Sequence, residues 1–578
     1  MIFISLLILI VAIALPVFNR NISSISFTRI TSIIFIYAGA LSFNALYIQS
    51  IGKGIGIYSG LFQITLISQL FDTLIVIAAS LILVILPLQP NVKLFSITPW
   101  NITQEETKIT TEMSNNSMNN YPTEYSVIVL MSSLGATLLI SSSDLISVYL
   151  SIELQSFGVY ILASLYRNSE SAISAGLKYF LLGGLSSCIL LLGCGLIYSF
   201  TGLTQLESIY SIVSVSDSNN IVQGLSLGLI LIIIALLFKI SAAPLHNWSP
   251  DVYDDSPTIV TIWLTVMPKI SILILLLEII SSLNILEHTI SLSSNINLLS
   301  NINLLEIESK NIIYLIKNLL LISSLLSLII GTIVGLGQSK IKRLLAYSTI
   351  SHIGFILLAL AINTEQSIES FLFYIIQYSL TNLNTFLILI ALGILIHNSI
   401  GQISKMKSNL TNDINSVKVS DSKLSKVIEN IKGSENDISL ISELKGQFVV
   451  NPLLSISLVI CLFSMAGVPP LIGFFSKQFV LYSSIQSGYY FISIVAIIVS
   501  VISASYYLKI IKVLYIENEE ISLNKNNNKE NINNTESIIS NFHSFLISIL
   551  TLSILFFILK PSLILNSTTL LSLSLYNF

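Results

Sequence analysis

The sequence predicts an all-α polytopic membrane protein of about fourteen transmembrane helices, with two inverted five-helix repeats and two broken helices. Three observations predict it. Of 578 residues, 53% are hydrophobic and only 10% are charged, against about 25% charged in an average soluble domain. Mean hydropathy is +0.85, so the chain has too little polar surface to cover itself in water. Two apolar runs each combine a lysine with a proline break, the mark of discontinuous membrane helices. The net charge of −3 says little about partners, and the lack of a basic patch argues against nucleic-acid binding.

Runs long enough to cross about 30 Å of hydrocarbon fall near 2–18, 30–49, 62–88, 125–142, 144–166, 174–200, 224–247, 258–281, 313–336, 342–363, 368–399, 452–475, 487–515 and 541–568. The first, "MIFISLLILIVAIALPVF", lacks the basic start and small-residue cleavage site of a signal peptide and reads as a span. Residues 1–88 form an N-terminal three-helix segment and 89–124 a polar loop. A first repeat follows at 125–281, a polar connection at 282–312, and a second repeat at 313–515. Insert 516–540 and a C-terminal helix in 541–578 complete the chain. The loop 402–448, lysine-rich and poor in aromatics, reads as a mobile or partly helical surface segment with no chemistry assigned.

Loop charges set orientation. Odd-numbered connections carry Arg20, Arg29, Arg167 and the "KIKR" of Lys340 to Arg343; even ones carry Glu207, Asp217, Glu365 and Glu369. The positive-inside rule places odd connections on the cytoplasm-like side. The acidic seventh connection, "SPDVYDDSP", runs against this trend.

Five charged residues stand out in or just beyond the apolar runs: Glu153, Lys178, Lys239, Lys269 and Lys477, the last in a shorter helix that continues the twelfth run to about 485. Each lysine costs about 2.5–3.5 kcal/mol at a helix centre on insertion scales. Snorkelling to the interface is an open alternative for Lys178, near a helix start. Lys239, Lys269 and Lys477 lie two turns or more from either end, and Glu153 is too short to snorkel far. Burial disfavours any charged form and an opposite charge restores it, so a buried lysine with a movable acidic partner is a proton switch. His352, in "KRLLAYSTISHIGFILLALAI", reads either as a hydrogen-bonded structural residue or as a relay. Tyr347, Ser348, Thr349 and Ser351 beside it could order water, whereas His246 and His397 rank lower.

"FKISAAPLH" has its lysine five residues before Pro244, and "GVPPLIGFFSK" has its lysine seven residues after Pro470. Lysines on opposite sides of the two breaks fit inverted repeats of spans 4–8 and 9–13. Cys188, Cys194 and Cys461 lie in apolar runs without metal-ligand spacing and read as bystander thiols. "GKGIGIYSG" at 52–60 looks like a phosphate loop but lacks the GxxxxGK[ST] spacing.

The run "FKISAAPLHNWSPDVYDDSPTIVTIWLTVMPK", with "KRLLAYSTISHIGF" and "GVPPLIGFFSKQF", closely resembles the antiporter-like membrane subunits of respiratory complex I over roughly 125–515. The resemblance implies fourteen helices and a polar axis in mid-membrane. It makes Glu153 the fifth-helix glutamate and Lys239, Lys269 and Lys477 the lysines of helices seven, eight and twelve. Lys178 becomes an additional lysine near the first channel and His352 a polar linker. One family branch usually has a glutamate where Lys477 stands. The resemblance further implies a mitochondrial inner-membrane location, lipids and neighbouring antiporter-like subunits as partners, and no cofactor in this chain. NADH, FMN, iron–sulfur clusters and ubiquinone would be bound by other subunits. The implied function is proton translocation driven by quinone reduction elsewhere. A stand-alone cation/proton antiporter and a structural scaffold are the alternatives.

Overall fold

The computed structural model describes residues 1–15, 24–48, 54–85, 124–166, 169–215, 219–294, 302–412, 437–516 and 540–576. Each of the fourteen apolar runs contains a helix: α1 (Ile2–Ala14), α2 (Ser24–Ala45), α3 (Leu66–Ile85), α4 (Tyr125–Ile140), α5 (Leu145–Ala163), α6 (Glu170–Thr201), α8 (Asn219–Lys239), α10 (Thr258–Ser294), α11 (Ile302–Leu336), α12 (Ile341–Ile362), α13 (Glu365–Asn412), α15 (Pro452–Ala466), α17 (Tyr490–Tyr515) and α18 (Asn541–Leu555). Short helices α7 (Leu206–Val215), α9 (Trp248–Asp255), α14 (Gln447–Val450), α16 (Ile472–Gln486) and α19 (Ser562–Tyr576) join or follow them. Among the described residues ten helices are long and apolar enough to cross a membrane, and five apolar helices are shorter. The protein is a multi-pass membrane protein.

One element departs from all-α. Ile55–Ile57 (β1) and Phe62–Ile64 (β2) pair antiparallel across the "GKGIGIYSG" segment. Tyr58, Ser59 and Gly60 all have positive φ there, the backbone that a tight hairpin needs.

Burial sorts the helices. In α10 and α12, 94% of the apolar stretch is buried, and in α13 78%, but only 39% in α6 and 33% in α17. The central stack is therefore α10, α12 and α13, while α6 and α17 present apolar side chains outward. Helices approach closely through small residues, as membrane packing favours. A Cβ on Gly193 of α6 would stand 2.9 Å from the Gly228 carbonyl of α8.

Contacts among the described residues join connections of like parity. Among the even-numbered ones, Gln63 N donates to Ser141 O at 2.7 Å, Leu145 N to Thr204 O at 3.0 Å, and Asn363 Nδ2 to Ile280 O at 3.3 Å. These join connections two, four and six, and eight with ten. Among the odd-numbered ones, Lys178 and Arg343 meet Asp251, Lys340 meets Asp254, and Lys342 meets Asp437. These join the helix after connection five to connections seven, nine and eleven. The acidic seventh connection therefore lies among the basic residues of its own face, which explains why its charge opposes the trend. Arg20, Arg167 and Asp217 lie outside the described residues, as do the loop 89–123, the insert 517–539 and the stretch 413–436.

The end of the 402–448 loop is built into the protein. Ser339 and Lys340 bridge to it, with Ile341 N donating to Ser439 O at 3.1 Å and Ile441 N to Ser339 O at 3.1 Å. Ile438, Ile441 and Leu444 are buried there.

Candidate functional site

Both broken helices begin from proline chemistry. A proline supplies no N–H to the carbonyl four residues earlier and clashes with it. For Pro244 that carbonyl belongs to Ile240, and α8 ends one residue before it, at Lys239. The break thus precedes Pro244 itself, and Ser241 takes a positive φ of 63°. Trp248 turns back over the break, its Nε1 donating to Phe238 O at 2.9 Å and its ring stacked on Tyr179 at 4.7 Å.

For Pro469 and Pro470 the orphaned carbonyls are those of Met465 and Ala466. Gly467, at φ 88°, closes α15 with its N–H on Phe463 O, the usual glycine stop. Lys477, on α16 beyond the break, donates to Met465 O and Ala466 O at 2.9 Å each. One ammonium satisfies both groups that the two prolines leave open.

Lys239, at the end of α8, faces Glu153 of α5 at 3.6 Å, an ion-pair separation longer than a hydrogen bond, with side chains 8% and 14% exposed. Beside them lies a cavity of about 20 Å³ lined by Lys239, Gln155, Ser156, Trp248 and Pro268 among others, room for a water molecule. Gln155 spans toward the next helix, its Oε1 accepting from Ser271 Oγ of α10 at 3.1 Å.

Lys269 is fully buried in α10, one residue after Pro268. Its Nζ donates to Thr349 Oγ1 at 3.0 Å and Tyr378 Oη at 3.2 Å, and lies 5.4 Å from the centre of the Tyr253 ring. His352, one turn beyond Thr349 on α12, places Nδ1 2.8 Å from Tyr374 Oη and Nε2 3.4 Å from Tyr507 Oη. The Phe355 ring links this cluster to Lys477, stacked on Tyr374 and 5.7 Å from Lys477 Nζ. Ser348 and Ser351 instead donate to carbonyls of their own helix, those of Leu345 and Ser348.

The structure thus brings together Glu153 with Lys239, and Lys269 with His352, with Lys477 one aromatic ring beyond. It sets Lys178 apart: this lysine is 49% exposed and pairs with Asp251 at 3.3 Å. Asp251 also holds Arg343. Nearby, burial and then Asp254 push the Asp255 carboxyl up, against Lys340 and Lys178. His246 is half-buried, with Nδ1 3.3 Å from Pro244 O. The His397 side chain lies outside the described residues.

Sequence reasoning passed over Asp72 and Glu278. Asp72 of α3 lies within electrostatic reach of Glu278 of α10, with its Oδ1 buried and without a hydrogen-bond partner. Both sit inside apolar runs, so the criterion that found Glu153 would have found them. Tyr378 and Tyr374 had no such signal, because hydroxyl residues are common throughout these spans.

The fold and this buried line of charges define a membrane transporter-like scaffold with ionisable groups in its interior. The chain belongs to the NADH:quinone oxidoreductase/Mrp antiporter transmembrane family, whose model matches residues 142–313, 290–413 and 416–503. It is 46% identical to NADH-ubiquinone oxidoreductase chain 2 of Rhizopus oryzae over 100% of both chains. It is 35% identical to NADH-quinone oxidoreductase subunit N of Pelagibacter ubique, over 70% of this chain and 71% of that one. Among solved structures, a chain of respiratory complex I from Thermus thermophilus aligns with a TM-score of 0.61 and 20% identity, covering 96% of this chain and 98% of that one. A chain of the Mrp complex from Dietzia aligns at 0.67 and 16%, covering 100% and 96%. These structural likenesses concern the fold.

Proposed function

We propose that the chain is the chain 2 type of membrane-arm subunit in a mitochondrial NADH:ubiquinone oxidoreductase, and that it translocates protons across the inner membrane. Supporting this reading is the end-to-end similarity to a chain 2 protein. The observation that carries the mechanism is Lys269, an ammonium site buried at the centre of the stack and held by hydroxyls. Glu153 stabilises protonated Lys239. A proton passes by way of the Gln155 and Ser271 region to Lys269, on through Thr349, Tyr378 and His352, and reaches Lys477, with bound water bridging the gaps. Spans 4–8 and 9–13 act as the two inverted repeats around this axis. Lys178, at the face, acts where the first half-channel opens. The driving energy is quinone reduction in other subunits, which also bind NADH, FMN, the iron–sulfur clusters and ubiquinone. Neighbouring antiporter-like subunits and lipids cover the outward apolar faces.

The test is Lys269→Met in the assembled complex, with assembly checked on native gels and quinone-coupled proton pumping measured in reconstituted vesicles. We expect pumping to fall by roughly tenfold or more, the effect of about 1.4 kcal/mol on a barrier. A fully assembled variant that pumps normally would remove Lys269 from the mechanism. Sodium-dependent transport by the isolated chain would instead point to an independent antiporter, and normal pumping by Glu153→Gln to a scaffold.

A further inference from the structure

At the odd-connection face one carboxylate ties two helices of the central stack together. Asp437 Oδ2 accepts from Thr258 N at 3.0 Å and from Lys342 Nζ at 2.6 Å, while Oδ1 accepts from Thr258 Oγ1 at 2.7 Å. Lys342 also donates to Ser256 O at 2.9 Å. The pair is shielded, with side chains 5% and 17% exposed.

Thr258 opens α10, so its N–H has no acceptor within the helix and lies at the positive end of the helix dipole. Lys342 is the second residue of α12. Both helices therefore start at this face, and Asp437 caps one and pairs with the other. Lys269 lies about three turns into α10 from Thr258, and Thr349 about two turns into α12 from Lys342. Helical side chains lean toward the N-terminus, so Lys269 Nζ reaches back to the level of Thr349, where it makes the 3.0 Å contact. Sliding α10 against α12 would break that contact.

We propose that Asp437 is a positioning residue for proton transfer. It fixes the axial register of α10 against α12, and with it the Lys269–Thr349 contact. This assigns a task to the end of the 402–448 loop, and it rests on the reading of Lys269 as a proton-transfer site.

The test compares Asp437→Asn, Asp437→Glu and Thr258→Val with Lys269→Met, all in the whole complex reconstituted in vesicles. Protons pumped per NADH oxidised and the pH profile of pumping are read per assembled complex. Asp437→Asn should lower the ratio roughly tenfold, short of the about hundredfold that a 1 Å misplacement can cost, and should displace the pH profile. Asp437→Glu should restore most of both. Wild-type ratio and profile in assembled Asp437→Asn, with Lys269→Met defective, would overturn the positioning role and leave the proton-transfer reading intact. Normal pumping by Lys269→Met would overturn both. If Asp437→Asn does not assemble, Thr258→Val decides, since it removes one bond and keeps the ion pair. A partial loss in the same direction supports the role, and wild-type behaviour overturns it.

Discussion

Lys477 illustrates how a charge placed in the membrane can serve structure. Its two carbonyl partners exist because Pro469 and Pro470 take away the donors that would have bonded them. Lys477→Met removes a buried cation but leaves two buried carbonyls open, at about 1–3 kcal/mol each. We expect a lower melting temperature for the complex, checked by thermal unfolding, with Lys477→Arg closer to wild type. An unchanged melting temperature would mean that water fills the gap. At this scale the sequence was informative wherever a charge stood in an apolar run. Glu153, Lys239, Lys269 and Lys477 are all buried or nearly so, because a charge in such a run must be enclosed by protein or reach the interface. Asp72 and Glu278 carried the same signal and were overlooked. The hydroxyls that hold Lys269 were unreadable, since only packing selects Thr349 and Tyr378 from many similar residues.

At the scale of elements, the apolar runs located helices well and their ends poorly. The first break was placed at Pro244, whereas α8 stops at Lys239, because a proline disturbs the turn before it rather than its own position. The hairpin at 55–64 was missed. Its strands are three residues each, and its turn uses Tyr58 and Ser59 instead of the Asn-Gly pair that signals such turns. The second break has its own sterically critical residue. A Cβ on Gly473 would run into the Ser464 carbonyl, so α16 can lie against the end of α15 only with glycine there. Gly473→Ala should push α16 away, separate Lys477 from its carbonyls and reduce pumping more than Gly184→Ala, whose Cβ would meet open space. Equal activity in the two variants would contradict this.

Among the described residues, contacts between connections join those of like parity, and the ion pairs of Lys340, Lys342 and Arg343 hold the odd-numbered face together. Cysteines placed at Ser59, in the hairpin, and at Ser439, beside the Asp437 clamp, should react with a membrane-impermeant thiol reagent from opposite sides of sealed vesicles. Labelling of both from one side would refute this arrangement. The parity pattern was legible from arginines and lysines alone. The acidic seventh loop obscured it, because its neutralising partners are 73 to 92 residues away in the chain. The hydroxyl and carbonyl contacts of the axis have a further consequence. An amine that has lost a proton keeps two N–H bonds, enough for both partners at Lys269 and both at Lys477. Those sites can change charge while their surroundings stay still. Lys239 differs, since only attraction at 3.6 Å ties it to Glu153. A discharged Lys239 would be free to swing, so under the proposed function the first site would be the hinge between electrical state and shape, and the other two its stationary conductors.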